Sequence, residues 1–555
     1  MSAPSQPHAP TPPPPSPPAP LPQSPPAPQS RNLVDVVFGD YDYTALCMPR
    51  IPCTPSWRTA TPSIFFSVNE RLPIVVGLLM GFQHALAMVA GIITVPRLLA
   101  IDLSLEASDR AYLTSSALTI SGLMTLIQIM RFRLFKGYWI GTGLLSMSGV
   151  SFTFLPIAQA MFATLRDSDF CQDGVPCPDA YGRWLGTVMV GSLVEIALSF
   201  IPHHTLRKAF PPVVTGTTVL IIGTSLIKVG LFNWRGGQAP QQFPAGHARW
   251  IGLGFFVFSI IILTELFGSP FMRNTQVMIG LIAGIVLSAA LGYLNTQSIA
   301  DAPLFTFPLV RRFKLGFYGP ALIPVMIAFA ISAVEAIGDV TASCEVSRVE
   351  TEGEQFESRI QGGLLADGLN SLLAALLTSS PTITFSQNNG VISMTRTASR
   401  LAGVWGAMWL IVMGVIGKLG GVFVALPEAV LGGMTTFLFA SVAVSGLRIL
   451  SGVQWDRRMR FILTASLGLG LGVEMVDDVF TEFIPPAKNE VVEYLRQGVV
   501  MIVDTGYSIG TITAVVLNLI LPEEGADVSS SDFKKMKLMR RDLDMDTMES
   551  GEQSD

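Results

Sequence analysis

Apolar runs of roughly 18 or more residues, each long enough to cross a bilayer core, recur along most of this chain. In lipid each run has to satisfy its own backbone N–H and C=O groups, which a helix does. Composition agrees: half the residues are hydrophobic, 14% are charged and the mean hydropathy is +0.49. Soluble domains carry about 25% charged residues. The 51 glycines and 38 prolines fit spans better than soluble helices, because neighbouring groups re-satisfy the interrupted backbone. The chain reads as an all-α polytopic membrane protein.

Fourteen spans are expected, near 72–95, 111–130, 138–160, 185–202, 212–232, 250–268, 276–294, 319–341, 361–379, 381–395, 401–419, 427–448, 460–480 and 498–521. Residues 1–70 form a tail whose first 30 residues are nearly half proline and cannot build a core. The stretch 31–70 is polar with scattered aromatics, among them Tyr41 and Tyr43, suited to cover one end of the transmembrane part of 71–521. A second tail, 522–555, carries the basic cluster Lys534, Lys535, Lys537, Arg540 and Arg541. With both tails cytosolic, about 23 Lys/Arg fall inside and about 12 outside; without the tails the loops give about 14 against about 12. The net charge of −5 is small and dispersed, which argues against nucleic acid as a partner. Cys171 and Cys177 share one polar loop and either pair, if that loop is extracellular, or stay free. No signal peptide precedes the first run, which reads as an uncleaved anchor.

Two spans break their pattern at matching places. The third contains Gly149–Pro156 (GVSFTFLP), and the tenth begins Ser380–Gln387 (SPTITFSQ), each a β-branched stretch beside a proline and too short to cross. They lie seven spans apart, and an odd offset inverts the second copy. Short interrupted segments at corresponding positions of two halves mark the midplane site of a transporter.

Polar groups inside spans cost roughly 2.5–3.5 kcal/mol for a carboxylate at mid-helix, so each one needs a reason. The first span holds Gln83 and His84, either helix-to-helix glue or part of a site. In the eighth, Glu335 and Asp339 sit one turn apart on one face, where desolvation and like charge oppose double ionisation. Such a pair can hydrogen-bond a substrate, carry a proton, or divide the two tasks; Lys228 is the obvious basic partner for a purely structural role. Asp367 in the ninth span is either a proton-relay member or a cap on a neighbouring helix. The tenth segment is the most informative. Its β-like stretch passes into a helix, whose first N–H groups lack intrahelical partners. Gln387 offers an acceptor and two donors, enough for a bidentate pair with a lactam or imide edge. Phe385 supplies a ring to stack on a heterocycle, and Gly390 is expected to permit close helix approach.

The run Gln387–Arg396 (QNNGVISMTR) resembles the signature of the nucleobase–ascorbate transporter family, [Gln/Glu/Pro]-Asn-x-Gly-x4-Thr-[Arg/Lys/Gly]. Gln83–His84 and Glu335/Asp339 fit the same family in the expected order, and the likeness runs from about Gly39 to Pro522. Glutamine at the first signature position is similar to the fungal uric acid–xanthine permeases of that family. The resemblance implies fourteen spans in two inverted repeats of seven, a core and a gate domain, a homodimer in the plasma membrane, and proton-coupled import of purines. It implies that Glu335 and Gln387 hydrogen-bond the purine and that the backbone of Phe152 and Ser386 completes the pocket. It assigns Asp339, Asp367, Asn388 and His84 to proton coupling or site geometry, and Arg460, Thr505 and Tyr507 to selectivity at the gate. Tyr507 departs from the Phe of the uric acid–xanthine branch, and Arg460 also fits a plain positive-inside residue. The alternatives are a broader nucleobase or ascorbate carrier of the family, an anion exchanger of the same architecture, or a receptor that transports nothing. Neither a nucleophile–base set nor metal-ligand spacing nor a phosphate loop is present in the sequence, so no enzyme and no cofactor are expected.

Overall fold

The computed structural model describes residues 36–39, 41, 43–48 and 65–522, with short interruptions at 135–136, 169, 173, 203–204, 206–209, 238–242, 308–311, 477–478, 481–483 and 486–488. The proline-rich stretch 1–30 and the basic cluster 534–541 lie outside the described residues.

The chain is built from helices. In order they are α1 (Ile74–Asp102), α2 (Ala107–Ile129), α3 (Leu155–Asp167), α4 (Pro178–Leu198), α5 (Pro212–Trp234), α6 (Ala248–Phe267), α7 (Gln276–Ala290), α8 (Leu322–Val346), α9 (Glu354–Leu376), α10 (Gln387–Thr395), α11 (Arg400–Val415), α12 (Glu428–Ser451), α13 (Arg457–Met475), α14 (Glu490–Val503) and α15 (Gly506–Ile520), with shorter helical turns between them. By length and apolar composition six described helices can cross a membrane: α1, α2, α5, α6, the segment Gly319–Val346 that contains α8, and α12. The pair formed by α14 and α15, bent by 81° at its break, makes a seventh where the two count as one broken span instead of a re-entrant loop. This is a multi-pass membrane protein. The other expected spans are too short, as α7 and α11 are, or too polar, or, in the third and tenth, part strand and part helix.

The four described strands are short. β1 (Phe132–Arg133) and β2 (Trp139–Ile140) form a small hairpin. β3 (Ser148–Val150) and β4 (Thr382–Thr384) pair antiparallel, with Ser148 opposite Thr384 and Val150 opposite Thr382. These are the two interrupted segments. Alone, each would leave its N–H and C=O groups bare in an apolar surrounding; paired, they satisfy each other. The ladder is extended by Ser151 N–H donating to Pro381 O and Phe385 N–H donating to Met147 O, both at 2.9 Å.

Glycine sets the closest helix approach, between α5 and α12. A Cβ on Gly223 would stand 2.2 Å from Ala443 N, and one on Gly446 2.4 Å from Leu220 N. In lipid there is little hydrophobic force between helices, so this intimate contact carries the association. The largest buried cluster surrounds the strand pair and includes Ile92, Phe152, Phe329, Phe385, Phe439 and Tyr507. The aromatic segment ahead of α1 covers one end of this body. Phe66 N–H donates to Arg396 O at 2.9 Å, and the Tyr41 hydroxyl donates to Thr395 O at 3.5 Å. Cys171 and Cys177 are disulfide-bonded, Cα to Cα 5.8 Å, which decides between the two readings of that loop.

Candidate functional site

The β3–β4 crossing places a helix start at each exit. β3 runs through Phe152 and Thr153 into α3, and β4 runs through Phe385 and Ser386 into α10. Because the strands are antiparallel, the helices leave in opposite directions and both N-termini face the crossing. The Leu155, Asn388 and Asn389 N–H groups donate back to Phe152, Phe385 and Ser386 O, so what the two helix starts offer this region is chiefly the positive ends of their dipoles, which favour electron-rich oxygens and anions.

Side chains from α8, α10, α12 and the two strand exits meet this region. The Phe152 and Phe385 rings lie near parallel, centroids 6.4 Å apart at 22°, and Phe439 of α12 meets Phe152 edge-on at 5.4 Å. Two glycines make the seat for Phe385: a Cβ on Gly149 would lie 2.8 Å from Phe385 Cζ, and one on Gly91 3.0 Å from Cε2. Thr153 Oγ1 donates to the Glu335 carboxylate at 3.5 Å, tying α8 to the strand exit. Glu335 and Asp339 are partly accessible, while Ser386 and Gln387 at the start of α10 are exposed. Lys228, the suggested basic partner, instead donates to the Glu474 carbonyl O at 3.3 Å.

Behind the crossing a second layer is fully buried. Thr384 Oγ1 lies 3.1 Å from both oxygens of Asp367 and donates to them, while Gln128 Nε2 donates to Thr384 Oγ1 at 3.0 Å. Asp367 thus holds the end of β4. Asn388 Nδ2 donates to Leu145 O at 2.7 Å, fixing α10 to the chain ahead of β3. The His84 imidazole faces the Asn388 amide without a well-formed hydrogen bond, and Gln83 beside it is also buried with its amide unpartnered. Asn389 accepts from Ser343 Oγ at 2.7 Å and donates to Asp339 O at 3.4 Å, joining α10 to α8.

Of the expected site residues, the structure brings together Phe152, Phe385, Ser386, Gln387, Glu335 and Asp339 at the crossing, with Asp367, Asn388, His84 and Gln83 directly behind. Three others lie elsewhere. Arg460 is exposed in the first turn of α13, where its Nε donates to Asp456 O at 3.3 Å. Thr505 and Tyr507 sit at the break between α14 and α15. Tyr507 is fully buried, its hydroxyl unpartnered, so it is not an aromatic anchor at a membrane surface. The expectation for Gly390 is corrected: a Cβ there would meet nothing within 4 Å, since this position of α10 lies, with Gln387 one turn before, on the exposed face.

Sequence reasoning missed Thr153, Thr384 and Gln128, for which hydroxyl and amide residues in spans give little warning. It also missed Glu195 in α4, which the cost of a carboxylate inside a span would have flagged.

A sequence model described as the permease family matches residues 77–479. A uric acid-xanthine permease of Emericella nidulans is 43% identical over 513 residues, covering 89% of this chain and 89% of that protein. A xanthine permease of Escherichia coli is 34% identical over 464 residues, covering 83% of this chain and 95% of that one. Among solved structures, the transmembrane domain of a cyanobacterial bicarbonate transporter aligns with a TM-score of 0.49 at 13% identity, over 82% of this chain and all of that one.

Proposed function

Because this chain belongs to the nucleobase–ascorbate transporter family of permeases, and is a transporter and not an enzyme, we propose that it imports xanthine or uric acid through the plasma membrane by proton symport. The observation that carries the reading is the β3–β4 crossing, where two facing aromatic rings, one carboxylate and one exposed amide meet two helix N-termini. A planar heterocycle with alternating N–H and C=O groups suits that set: Phe152 and Phe385 contact its faces, Gln387 pairs with a lactam edge, and Glu335 accepts a ring N–H. The backbone of Phe152 and Ser386 closes the pocket. Asp339, Asp367, Asn388, His84 and Gln83 hold this geometry and serve proton coupling; Arg460, Thr505 and Tyr507 act at the gate.

Coupling follows from the charge on Glu335. Ionised, it accepts a hydrogen bond from the purine; protonated, it carries no charge through apolar surroundings during the change of access. The same reading includes fourteen spans as two inverted repeats of seven, alternating access between core and gate domains, a homodimer, and cytosolic termini. The names of the relatives support xanthine and uric acid as substrates.

Radiolabelled xanthine uptake in a host lacking its own purine carriers tests this. Unlabelled xanthine or uric acid should compete while uracil, ascorbate and sulfate do not, and uptake should fall as external pH rises and collapse with a protonophore at constant sodium. Sodium-dependent, protonophore-resistant uptake overturns the coupling, and competition by ascorbate or sulfate overturns the substrate.

A further inference from the structure

The turn after α2 carries Arg131, and the loop that leads into β3 folds back beside it. Thr142 ties the two together, its N–H and its hydroxyl both donating to Gln128 O. Gly143, at a φ of 67°, stands so close that a Cβ there would lie 3.1 Å from Arg131 Cδ and 3.4 Å from Arg359 Nη1. Arg359, in the second turn of α9, donates from that nitrogen to Thr142 O at 2.9 Å. Arg131 donates to Ser358 Oγ, lies over the Trp139 ring at 4.5 Å, and has a buried Nε with no hydrogen-bond partner. Arg400 opens α11, which packs on the same loop: a Cβ on Gly403 would lie 2.4 Å from Ile129 Cδ1 and 3.3 Å from Leu145 Cγ. All three arginines are half-buried, and none forms an ion pair among the described residues. The acid acting on Arg359 is the exposed Glu350. Burial first, then the charges of Arg359 and Arg400, hold Arg131 below the usual arginine range. Half-buried cations gathered without a counter-charge are costly until an anion joins them.

Arg131 stands two residues beyond α2, a helix able to cross a membrane, so the cleft lies at a membrane boundary. Beside it Met130, Phe132 and Leu134 are exposed apolar side chains, alternating with Arg131 and the exposed Arg133. Apolar and basic residues alternating at a span end suit a lipid headgroup above its acyl chains better than a soluble anion. We propose that Arg131 and Arg359, with Arg400 beside them, bind the headgroup phosphate of an anionic phospholipid. The guanidiniums take the phosphate oxygens, and Phe132 and Leu134 lie against the acyl chains. The lipid neutralises charges that otherwise repel across Gly143, and so steadies the loop that enters β3. Arg400 N–H donates to Val68 O, so the cleft is at the end covered by the segment ahead of α1. On the reading that both termini are cytosolic, this leaflet is the one rich in anionic lipid.

The test is the thermal midpoint of the purified, delipidated full-length protein with added short-chain phosphatidylinositol, phosphatidylcholine or inorganic phosphate. Phosphatidylinositol should raise the midpoint of the parent at concentrations where phosphatidylcholine and phosphate do not. The double variant Arg131→Gln/Arg359→Gln should need about 10- to 30-fold more of it for the same rise. Arg249→Gln, which removes an exposed arginine of α6, should respond as the parent does. No rise in the parent, or equal rises in parent and double variant, overturn the proposal. An equal loss in Arg249→Gln overturns it too, since the effect is then non-specific charge. A rise with phosphate as large as with phosphatidylinositol assigns the cleft to free phosphate and overturns the lipid. If the double variant does not fold, Ser358→Asp decides, because it sets a carboxylate beside Arg131. It should raise the lipid-free midpoint and abolish the response to phosphatidylinositol; a retained response overturns the proposal.

Discussion

Gly149→Ala tests the seat of the Phe385 ring. The new methyl would lie 2.8 Å from Phe385 Cζ, 3.0 Å from Phe385 Cε1 and 3.0 Å from Ile92 Cγ1. The ring cannot swing far, because Gly91 on α1 already stands so close that a Cβ there would touch Cε2 at 3.0 Å. Nor can the strand retreat, being held by its register opposite Ile383. Overpacking of this kind costs about 1–3 kcal/mol. If the ring forms one wall of the purine site, most of that cost falls on binding, a loss of about 5- to 150-fold in affinity at roughly 1.4 kcal/mol per decade. The assay is competition of unlabelled xanthine against labelled uptake, normalised to transporter at the cell surface. The cause is checked in a Phe385→Leu background, where the ring end is gone and Gly149→Ala should add little. An unchanged half-saturation constant in Gly149→Ala, or equal losses in both backgrounds, refutes the reasoning.

Gln387→Ala should abolish high-affinity purine uptake while surface expression persists, because a recognition pair worth roughly 1–3 kcal/mol is lost; Gln387→Glu, which keeps an acceptor edge, should be milder, and both are read from saturation curves. Thr384→Val should lower the amount of folded transporter, measured by size-exclusion of the solubilised protein, since a buried Asp367 loses its hydroxyl donor, at a cost of about 1–3 kcal/mol, and keeps only the backbone of that residue. Tyr507→Ala should admit other purines or pyrimidines with xanthine affinity nearly unchanged, judged from a competition panel. Tyr507→Phe should fold at least as well as the parent, as the hydroxyl it removes is buried without a partner, and equal or greater surface expression is the check.

The membrane class, the matched interruptions and most residues of the candidate site follow from the sequence, because lipid makes them costly to hide. A run such as α1 has one low-energy form in hydrocarbon, and Glu335, Asp339 and Asp367 stand out wherever a span is otherwise apolar. The family signature marks Gln387 and Asn388 in the same way, by residue type and spacing. Tertiary structure decided what those residues touch. Nothing local joins Gly149 to Ile383, 234 positions on by residue number; the two meet because each short strand lacks backbone partners until it finds the other. Thr153 reaches Glu335, Thr384 holds Asp367, and Glu195 faces α9 only once helices far apart in sequence are crossed. Gly390 shows the converse. A glycine in a span suggests close approach, but which side of α10 meets a neighbour depends on the rotation of that helix in the assembled body, and no local periodicity of nine residues determines it.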